Sequence, residues 1–369
     1  MEWPLTRGRL LALATSSLLQ PACDPFETGF APDEPAEYFK ARNVEQASPP
    51  QTLQLMDYNV KFGGGRIDFF FDCHGDRVLM SREEVEHNMA GLAKKIRQVD
   101  PDVLFIEEVD VNSKRAAFVN ELQYLLDHTR LNYAVYGSQW RADFVPSDGL
   151  GAVDSGNAIL AKFPLHDAHR LALPLRTDLS GIERYFYLHR NLLVARLDDA
   201  ALTEFAPGKE LWLLGTHAEA YAKDGTKKRH IELFTERMKL LAKQGIVVGS
   251  GDMNALPPGT LKTSHFDDSA CVGDYEADDY SAEGDWLEPL YERYQEAIPL
   301  ADYEADNAPY LSHTTSKDGF WNRRLDYIFS TGTLTEGLVH QDKAHGGMET
   351  MPLSDHAPLS AVLSSPEAP

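Results

Sequence analysis

Five short polar motifs in this chain each follow an apolar segment, and their residue types are ones that bind cations and transfer protons. In chain order they are Tyr58-Asn59-Val60, Glu107-Glu108-Val109, Thr216-His217, Gly251-Asp252-Met253-Asn254 and Ser354-Asp355-His356-Ala357-Pro358. Each motif alone has an ordinary alternative, because Asn and Asp are common turn residues and a lone histidine at a strand end is usually structural. Their number and order favour one shared site.

The amide and carboxylate groups of these motifs offer oxygen atoms as metal ligands. Asn59, Glu108 and Asp355 form an oxygen-only set. Such a set suits Mg²⁺ or Mn²⁺, which keep several waters and share their remaining positions with phosphate. A zinc site would need several histidines or cysteines at close spacing. We therefore expect Mg²⁺ (or Mn²⁺), which would polarise a phosphoryl oxygen and neutralise charge that develops on it.

A histidine beside a metal-bound carboxylate is a candidate general base. His356 follows Asp355 directly, and Asp326, in Leu325-Asp326-Tyr327, is the candidate that orients the imidazole. A histidine oriented in this way can take a proton from water near neutral pH. Asp252 and Asn254 lie on one turn and could hold a water, a phosphate oxygen or a leaving group.

Alternating strand and helix patterns must position these residues. The predicted strands are 53–60, 103–106, 157–161, 185–197, 211–216, 245–248, 325–329 and 359–363, and the predicted helices are 82–98, 114–128, 226–243 and 285–297. Ser81 and Glu84 have the spacing of a capping box before the first helix. Long strand pairs between helices predict an α/β four-layer sandwich, with two stacked mixed β-sheets flanked by helices.

With these motifs in place, the chain resembles the endonuclease/exonuclease/phosphatase superfamily of metal-dependent phosphohydrolases over roughly residues 52–364. That superfamily includes deoxyribonucleases, abasic-site endonucleases, inositol polyphosphate 5-phosphatases and bacterial neutral sphingomyelinases. The segment from Gly156 to Pro164 adds to the resemblance. The set of motifs is specific for the superfamily and says little about substrate.

The resemblance implies a role for each metal candidate. Asn59 and Glu108 would help to hold the divalent cation, with Asp355 in or near its coordination shell. Glu107 departs from the pattern, since the family usually has glutamine before the metal-binding glutamate. Adjacent strand residues point to opposite faces, so we expect Glu108 to be the ligand.

The resemblance also implies the catalytic roles. His356 would be the base, paired with Asp326, while Asp252 and Asn254 would position the attacking water and the phosphate. Asn254 would therefore contact the substrate as well.

Further substrate contacts are implied for a histidine and an arginine. His217 would hydrogen-bond a non-bridging oxygen or assist the leaving group, and Arg190 would contact the phosphate with its planar guanidinium. The basic run at 223–229 is either a solvated helix face or a source of phosphate attraction.

Composition narrows the class of protein. The chain has 369 residues and a formal net charge of −22. Such a charge repels polyanions at long range and disfavours a nucleic-acid binder with a broad basic face. Its three cysteines, Cys23, Cys73 and Cys271, form neither a disulfide framework nor a zinc-binding pattern.

The N-terminus is similar to a bacterial lipoprotein signal. Arg7 and Arg9 precede an apolar stretch that ends near Leu19, and Ala22 then precedes Cys23. We expect 1–23 to be an export signal that attaches the protein to a membrane through lipidated Cys23, and the alternative is a mildly apolar tail. Proline-rich and acidic 24–50 would be a flexible linker, and 51–365 the catalytic domain.

The sequence thus predicts an exported hydrolase of phosphate esters, in the cell envelope or secreted. Its favoured activity is a phosphodiesterase on a lipid head group or another small envelope phosphodiester, and the alternative is an extracellular nuclease with nucleic acid as substrate. A phosphomonoesterase and a non-catalytic binding protein on the same scaffold are the other possibilities. If the protein is exported, Cys73 and Cys271 could pair. No protein partner is inferred.

Overall fold

Two seven-stranded sheets lie face to face in the computed structural model, which describes residues 26–72, 75–268, 279–316, 320–341 and 348–365. The strands are β1 (Asp33–Pro35), β2 (Glu37–Lys40), β3 (Leu53–Asn59), β4 (Val103–Asp110), β5 (Tyr133–Val145), β6 (Gly151–Ala161), β7 (Leu165–Ala172), β8 (Asn191–Leu197), β9 (Leu211–His217), β10 (Ile246–Asp252), β11 (Gln295–Glu296), β12 (Asp326–Ser330), β13 (Thr333–Val339) and β14 (Leu359–Ser364). The helices are α1 (Arg82–Val99), α2 (Glu121–His128), α3 (Gly181–Phe186), α4 (Thr226–Leu241), α5 (Glu288–Tyr291) and α6 (Leu300–Ala305).

Both sheets are mixed. The first has the order β1-β7-β8-β9-β10-β12-β11, and the second has the order β13-β14-β3-β4-β6-β5-β2. The pairs β9–β10 and β3–β4 are parallel. The ends of these parallel strands carry most of the polar motifs, so each sheet delivers them to one edge.

Apolar side chains fill three layers around the sheets. Phe105 faces the core between the two sheets, whereas its neighbour Leu104 faces α1 and contacts the cluster that contains Met89. On the other side, Phe234 of α4 packs in the cluster that contains Val247 of β10. The alternation along each strand therefore buries both faces of each sheet. The predicted four-layer α/β sandwich is confirmed.

Helix α1 begins as its capping sequence predicts. The Ser81 hydroxyl accepts a hydrogen bond from the Glu84 backbone N–H, and the Glu84 carboxylate accepts one from the Ser81 N–H. We expect Ser81→Ala to lower the free energy of unfolding by about 1 kcal/mol, measured by urea denaturation. Exposed Ser48, changed to alanine, is the control and should stay within about 0.5 kcal/mol of the wild type. Equal effects of the two changes would contradict the capping role.

Three predicted elements differ from the structure. Residues 181–186 form a capped helix, so the strand predicted for 185–197 begins only at Asn191. The helix predicted for 114–128 is broken because Ala117 and Phe118 adopt left-handed backbone angles. The helix predicted for 285–297 is four residues long, because Gln295 and Glu296 pair with β12 instead.

The predicted linker also differs from the structure. Within 24–50, β1 pairs with β7 at the edge of the first sheet, and β2 pairs with β5 at the edge of the second. Ala36, between the two strands, is buried in the core between the sheets. The prediction of a flexible linker is therefore wrong for residues 33–40, and the folded domain begins before residue 51.

The predicted export signal at 1–23 and the three cysteines lie outside the described residues. Within the described ranges, every helix is too short or too polar to cross a bilayer.

Candidate active site

Strand ends from both sheets meet at one end of the sandwich and border a cavity of about 510 Å³. Across β9, β10 and β12, His217 lies opposite Asp252, and Asp252 lies opposite Asp326. The predicted site residues that line the cavity are Glu108, Arg190, His217, Asp252, Asn254, Asp355 and His356. The remaining two, Asn59 and Asp326, contact these residues from behind.

His356 is held by a buried carboxylate. Its Nδ1 donates to Asp326 at 2.9 Å, and Ser312 donates its hydroxyl to the same carboxylate. The other nitrogen, Nε2, lies 3.6 Å from Asp252 Oδ2. Burial alone would lower the pKa of His356, but the charges of Asp326 and Asp252 outweigh burial and raise the pKa to about 10. Nε2 is therefore the atom that can exchange a proton with the cavity.

Asp252 reaches the cavity because glycine precedes it. Gly251 has φ +143°, and a Cβ there would lie 1.8 Å from the Thr216 carbonyl oxygen. Only glycine allows the two strands to approach this closely. The Asp252 carboxylate accepts hydrogen bonds from the Asn254 N–H at 2.9 Å and from Asn59 Nδ2 at 3.2 Å. Burial raises the pKa of Asp252 to about 7, although the neighbouring His356 opposes the shift.

Asn59 faces the carboxylates with its nitrogen. Its Oδ1 accepts a hydrogen bond from the Lys61 N–H at 3.1 Å, and its Nδ2 donates to Glu108 Oε1 at 3.3 Å and to Asp252. An oxygen ligand, as the resemblance implied, would require the amide to rotate and lose these contacts. In this structure Asn59 instead joins the two acids.

A β-bulge turns Glu108 into the cavity. The pairing of β4 with β6 shifts between Ile106 and Val109, and Glu108 has φ 56°, in the left-handed region. Glu107 is buried below the cavity, where burial and then the nearby Asp57 raise its pKa well above the usual value. A protonated carboxyl can both donate and accept a hydrogen bond, as the glutamine usual in the family can.

Asp355 is paired with a lysine that sequence reasoning missed. Lys61 Nζ lies 3.5 Å from Asp355 Oδ2 and 2.9 Å from Asp72 Oδ2. Burial acts to raise the pKa of Asp355, but Lys61 and the nearby histidines outweigh it and hold the pKa far below the usual value. Lys61 lies in a 3₁₀ turn with φ 46°, and no sequence pattern marks it.

A second histidine, also missed, touches the candidate base. His313 Nδ1 lies 3.0 Å from His356 Nε2, and the two backbones form an antiparallel bridge. Burial, then the charges of His356 and Arg323, lower the pKa of His313 well below its usual value. No strand or helix pattern surrounds His313, so its position near His356 could not be predicted from the sequence.

Several buried polar atoms at the cavity lack a protein partner. Arg190 Nη1 lies 3.5 Å from Gln139 Oε1, whereas Arg190 Nε and Gln139 Nε2 have no hydrogen-bond partner in the described part of the chain. The same holds for His217 Nδ1, which lies 3.8 Å from Glu108 Oε1. Burial, followed by Arg190 and His356, lowers the pKa of His217 well below its usual value. Buried groups of this kind are rare unless a ligand or water satisfies them.

The basic run at 223–229 does not form one patch. Lys227 is buried, donates to the Asn254 carbonyl at 2.9 Å and lies 2.7 Å from Glu283 Oε1. Arg229 is exposed and pairs with Glu232. Lys227 therefore supports the loop that carries Asn254, whereas Lys223 and Lys228 are exposed at the surface.

Lys227→Met should destabilise the fold strongly, because it leaves Glu283 buried and uncompensated. We expect the free energy of unfolding to fall by about 3–5 kcal/mol, as is usual when one partner of a buried pair is removed. Its exposed neighbour gives the matched control, since Lys228→Met should change stability by less than about 0.5 kcal/mol. Both are measured by thermal and urea denaturation. A stable Lys227→Met protein would show that the pair is dispensable.

Carboxylates at the cavity offer oxygen donors to the predicted hard cation, but neither of the two close groups of possible ligands among the described residues includes Glu108. Glu108 lies partly open to the cavity, and no lysine or arginine nitrogen of the described chain lies within 4.0 Å of its carboxylate. Asp355 also lines the cavity, but its carboxylate contacts the Lys61 ammonium group, which Asp72 contacts as well. Two groups, His313 with Asp355 and His356, and Asp252 with Asp326 and His356, have ligand atoms within 4.8 Å of one another. Carboxylate oxygens are the donors that Mg²⁺ and Mn²⁺ prefer.

Solved structures share this fold. An endonuclease/exonuclease/phosphatase from Beutenbergia cavernae has a TM-score of 0.55 and 16% identity, over 87% of this chain and 73% of that chain. The human Nocturnin catalytic domain, with bound sulfate, has a TM-score of 0.52 and 14% identity, over 89% and 97%. Humanized D. rerio TDP2 has a TM-score of 0.50 and 14% identity, over 86% and 100%. At these identities the likeness establishes the fold.

No curated protein matches the chain in sequence. The sequence profile of the Endonuclease/Exonuclease/phosphatase family matches residues 58–356, which span all the motifs from Asn59 to His356. The chain therefore belongs to the Endonuclease/Exonuclease/phosphatase family, whose members are hydrolases that act on phosphoesters.

Proposed function

We propose that the chain is a divalent-metal-dependent phosphodiesterase that acts on a lipid head group or another small phosphodiester. The observation that carries this proposal is the position of the His356 ring. Its Nδ1 is hydrogen-bonded to Asp326, and its Nε2 lies at the cavity, 3.6 Å from Asp252 Oδ2. This arrangement supplies a base, and Arg190 supplies a cation for phosphate in the same cavity.

In the proposed reaction, a water oxygen bonds to phosphorus as the bond from phosphorus to the leaving oxygen breaks. His356 Nε2 takes the proton from the water, while Asp326 holds Nδ1–H and fixes the ring. Asp252 and Asn254 orient the water and the phosphate. The leaving oxygen then receives a proton from the site or from solvent.

Two donors without protein partners would meet the phosphate. Arg190 Nε is buried at the cavity and can donate to a non-bridging oxygen, and His217 Nδ1 can do so in the tautomer that carries the proton on that nitrogen. A divalent cation held by Glu108, with Asp355 nearby, would polarise the phosphoryl oxygen and offset the acids that raise the pKa of His356.

The pairing of cations at the cavity favours a small substrate over nucleic acid. Among its five described lysines and arginines, four have a carboxylate partner: Lys61 with Asp72, Arg115 with Asp110, Arg176 with Asp178 and Arg323 with Asp268. Arg190 makes no such pair within 4.0 Å of any described carboxylate. One unpaired cation suits one phosphate group, whereas a nucleic-acid backbone needs a row of them.

A substrate panel tests the proposal. The protein is assayed with Mg²⁺ or Mn²⁺ against bis(p-nitrophenyl) phosphate, phosphatidylcholine, sphingomyelin, DNA, RNA and p-nitrophenyl phosphate, with His356→Ala as the blank. We expect hydrolysis of the small phosphodiesters. Cleavage of DNA or RNA alone would replace the proposal with a nuclease, cleavage of the monoester alone with a phosphomonoesterase, and no turnover at all with a binding protein.

We also propose that the enzyme acts in the cell envelope, on the basis of the lipoprotein-like pattern that ends at Cys23. Full-length protein expressed in a bacterium should sediment with membranes, and Cys23→Ser should release it. Equal membrane association of the two proteins would remove this proposal.

A further inference from the structure

One side of the active-site cavity is apolar. Three segments that are distant in the sequence build it: the loop after β3, strand β5, and α3 with the residues that follow it. Their side chains include Phe70, Phe71, Trp140, Ile182, Phe186 and Leu188. The same cavity holds His356 and Arg190, so the polar and apolar sides face one space. We call these six residues the apolar wall.

Contacts inside the molecule hold the wall in place. Trp140 donates its indole N–H to the Phe186 carbonyl at 2.8 Å, which joins β5 to α3. Phe70 and Phe71 meet edge to face with ring centroids 5.2 Å apart. Phe70, Trp140 and Phe186 also pack against one buried cluster that contains Val145 and Leu150. The wall is therefore formed before any substrate binds, as is usual for ligand pockets.

Helix α3 leaves the apolar side chain of Ile182 largely uncovered. None of its six residues is buried, and Ile182 is 72% exposed although it lines the cavity. A single exposed isoleucine is ordinary on a protein surface. Here it continues a wall of aromatic side chains next to the proposed catalytic groups, where a bound molecule would cover it.

The geometry points to an amphiphilic substrate: a single phosphodiester whose hydrocarbon substituent lies on the apolar wall while its phosphate lies at Arg190 and His356. This inference rests on the proposed phosphodiesterase activity and adds the chemistry of the substituent. A cavity of about 510 Å³ has room for a phosphate and several methylenes together. The wall residues would set specificity, because each methylene they remove from water strengthens binding.

A homologous series of soluble substrates tests the inference. Methyl, butyl and octyl p-nitrophenyl phosphate release the same chromophore and differ only in the alkyl chain. With Mg²⁺, and below the micelle-forming concentration, kcat/KM should rise with chain length by up to about fourfold per methylene until the wall is covered. Phosphatidylcholine vesicles form a second arm, which separates recognition of a single molecule from recognition of a membrane surface.

Ile182→Asp should flatten the dependence on chain length, which is measured as the ratio of kcat/KM for the octyl ester to kcat/KM for the methyl ester within each variant. The Ile182 side chain is mostly exposed, so the variant should fold, and its Tm is compared with that of the wild type. Leu240 on α4 is 47% exposed and lies outside the cavity lining, so Leu240→Asp is the matched control and should keep the full dependence.

The outcomes separate the two proposals. No cleavage of any ester, including the methyl ester, would overturn the phosphodiesterase itself. Equal kcat/KM for methyl and octyl esters, or the same chain-length dependence in Ile182→Asp, would overturn the inference about the wall while the proposed function stands. Faster cleavage of single-stranded DNA than of the octyl ester would also overturn it, and activity on vesicles alone would assign the recognition to a membrane surface instead.

Discussion

Replacing His356 by alanine should lower kcat by about 10²–10⁴, the usual contribution of a general base. The variant loses the only imidazole that Asp326 orients in the described structure, so the attacking water must give its proton to a poorer acceptor. KM should change little, because phosphate binding falls mainly to Arg190 and His217. Initial rates with bis(p-nitrophenyl) phosphate and Mg²⁺ measure both constants.

Another histidine–carboxylate pair in the same chain provides the control. His166 Nε2 lies 2.7 Å from Asp198 on the surface, and His166→Ala should keep wild-type rates. Asp326→Asn should lower kcat with little change in KM, because it leaves a side chain of the same shape without the charge. A loss of less than tenfold in His356→Ala would mean that another group acts as the base.

Glu108→Gln should weaken binding of the cation and lower kcat/KM by at least about 100-fold. A metal ion stabilises a phosphoryl transition state by several kcal/mol, and each 1.36 kcal/mol corresponds to a factor of ten. Titration calorimetry with Mn²⁺ measures the affinity without any substrate. In the wild type, EDTA should abolish activity and added Mg²⁺ should restore it.

Glu107→Gln is the matched control for this prediction, because it makes the same chemical change one residue earlier. Glu107 is buried away from the cavity, and its raised pKa already favours the neutral form, so the change should leave Mn²⁺ affinity and kcat/KM within a few-fold of the wild type. Equal losses in the two variants would indicate a general disturbance of β4. Unchanged metal binding in Glu108→Gln would remove Glu108 from the metal site.

The layered fold could be predicted because its signals are local. Ser81 and Glu84 mark the start of α1, alternation marks β3, and the short apolar run that ends at Val248 marks β10 as a buried strand. The break in the helix predicted for 114–128 was missed because the left-handed backbone angles of Ala117 and Phe118 leave no mark in the sequence pattern. The pairing of 33–40 was also missed, since short edge strands gain their stability from neighbours that are far away in the sequence.

The candidate site was predictable to the extent that its residues follow strands. Strand ends bring Glu108, Asp252 and His217 together without any knowledge of the loops. Lys61 and His313 could not be found in this way, because each lies in a turn or loop and meets its partner only through the tertiary fold. The orientation of the Asn59 amide could not be predicted either, because it depends on a hydrogen bond that the Lys61 backbone N–H donates to Asn59 Oδ1.

The two short strands near the N-terminus each cover an edge: β1 is an edge strand of the first sheet, and β2 is an edge strand of the second. A protein trimmed to begin at residue 51 would lose β1 and β2 together and leave the hydrogen-bonding groups of β7 and β5 unpaired. Unpaired margins of this kind recruit strands from other molecules. Such a shortened protein should therefore self-associate, even though every side chain of the catalytic cavity is still present.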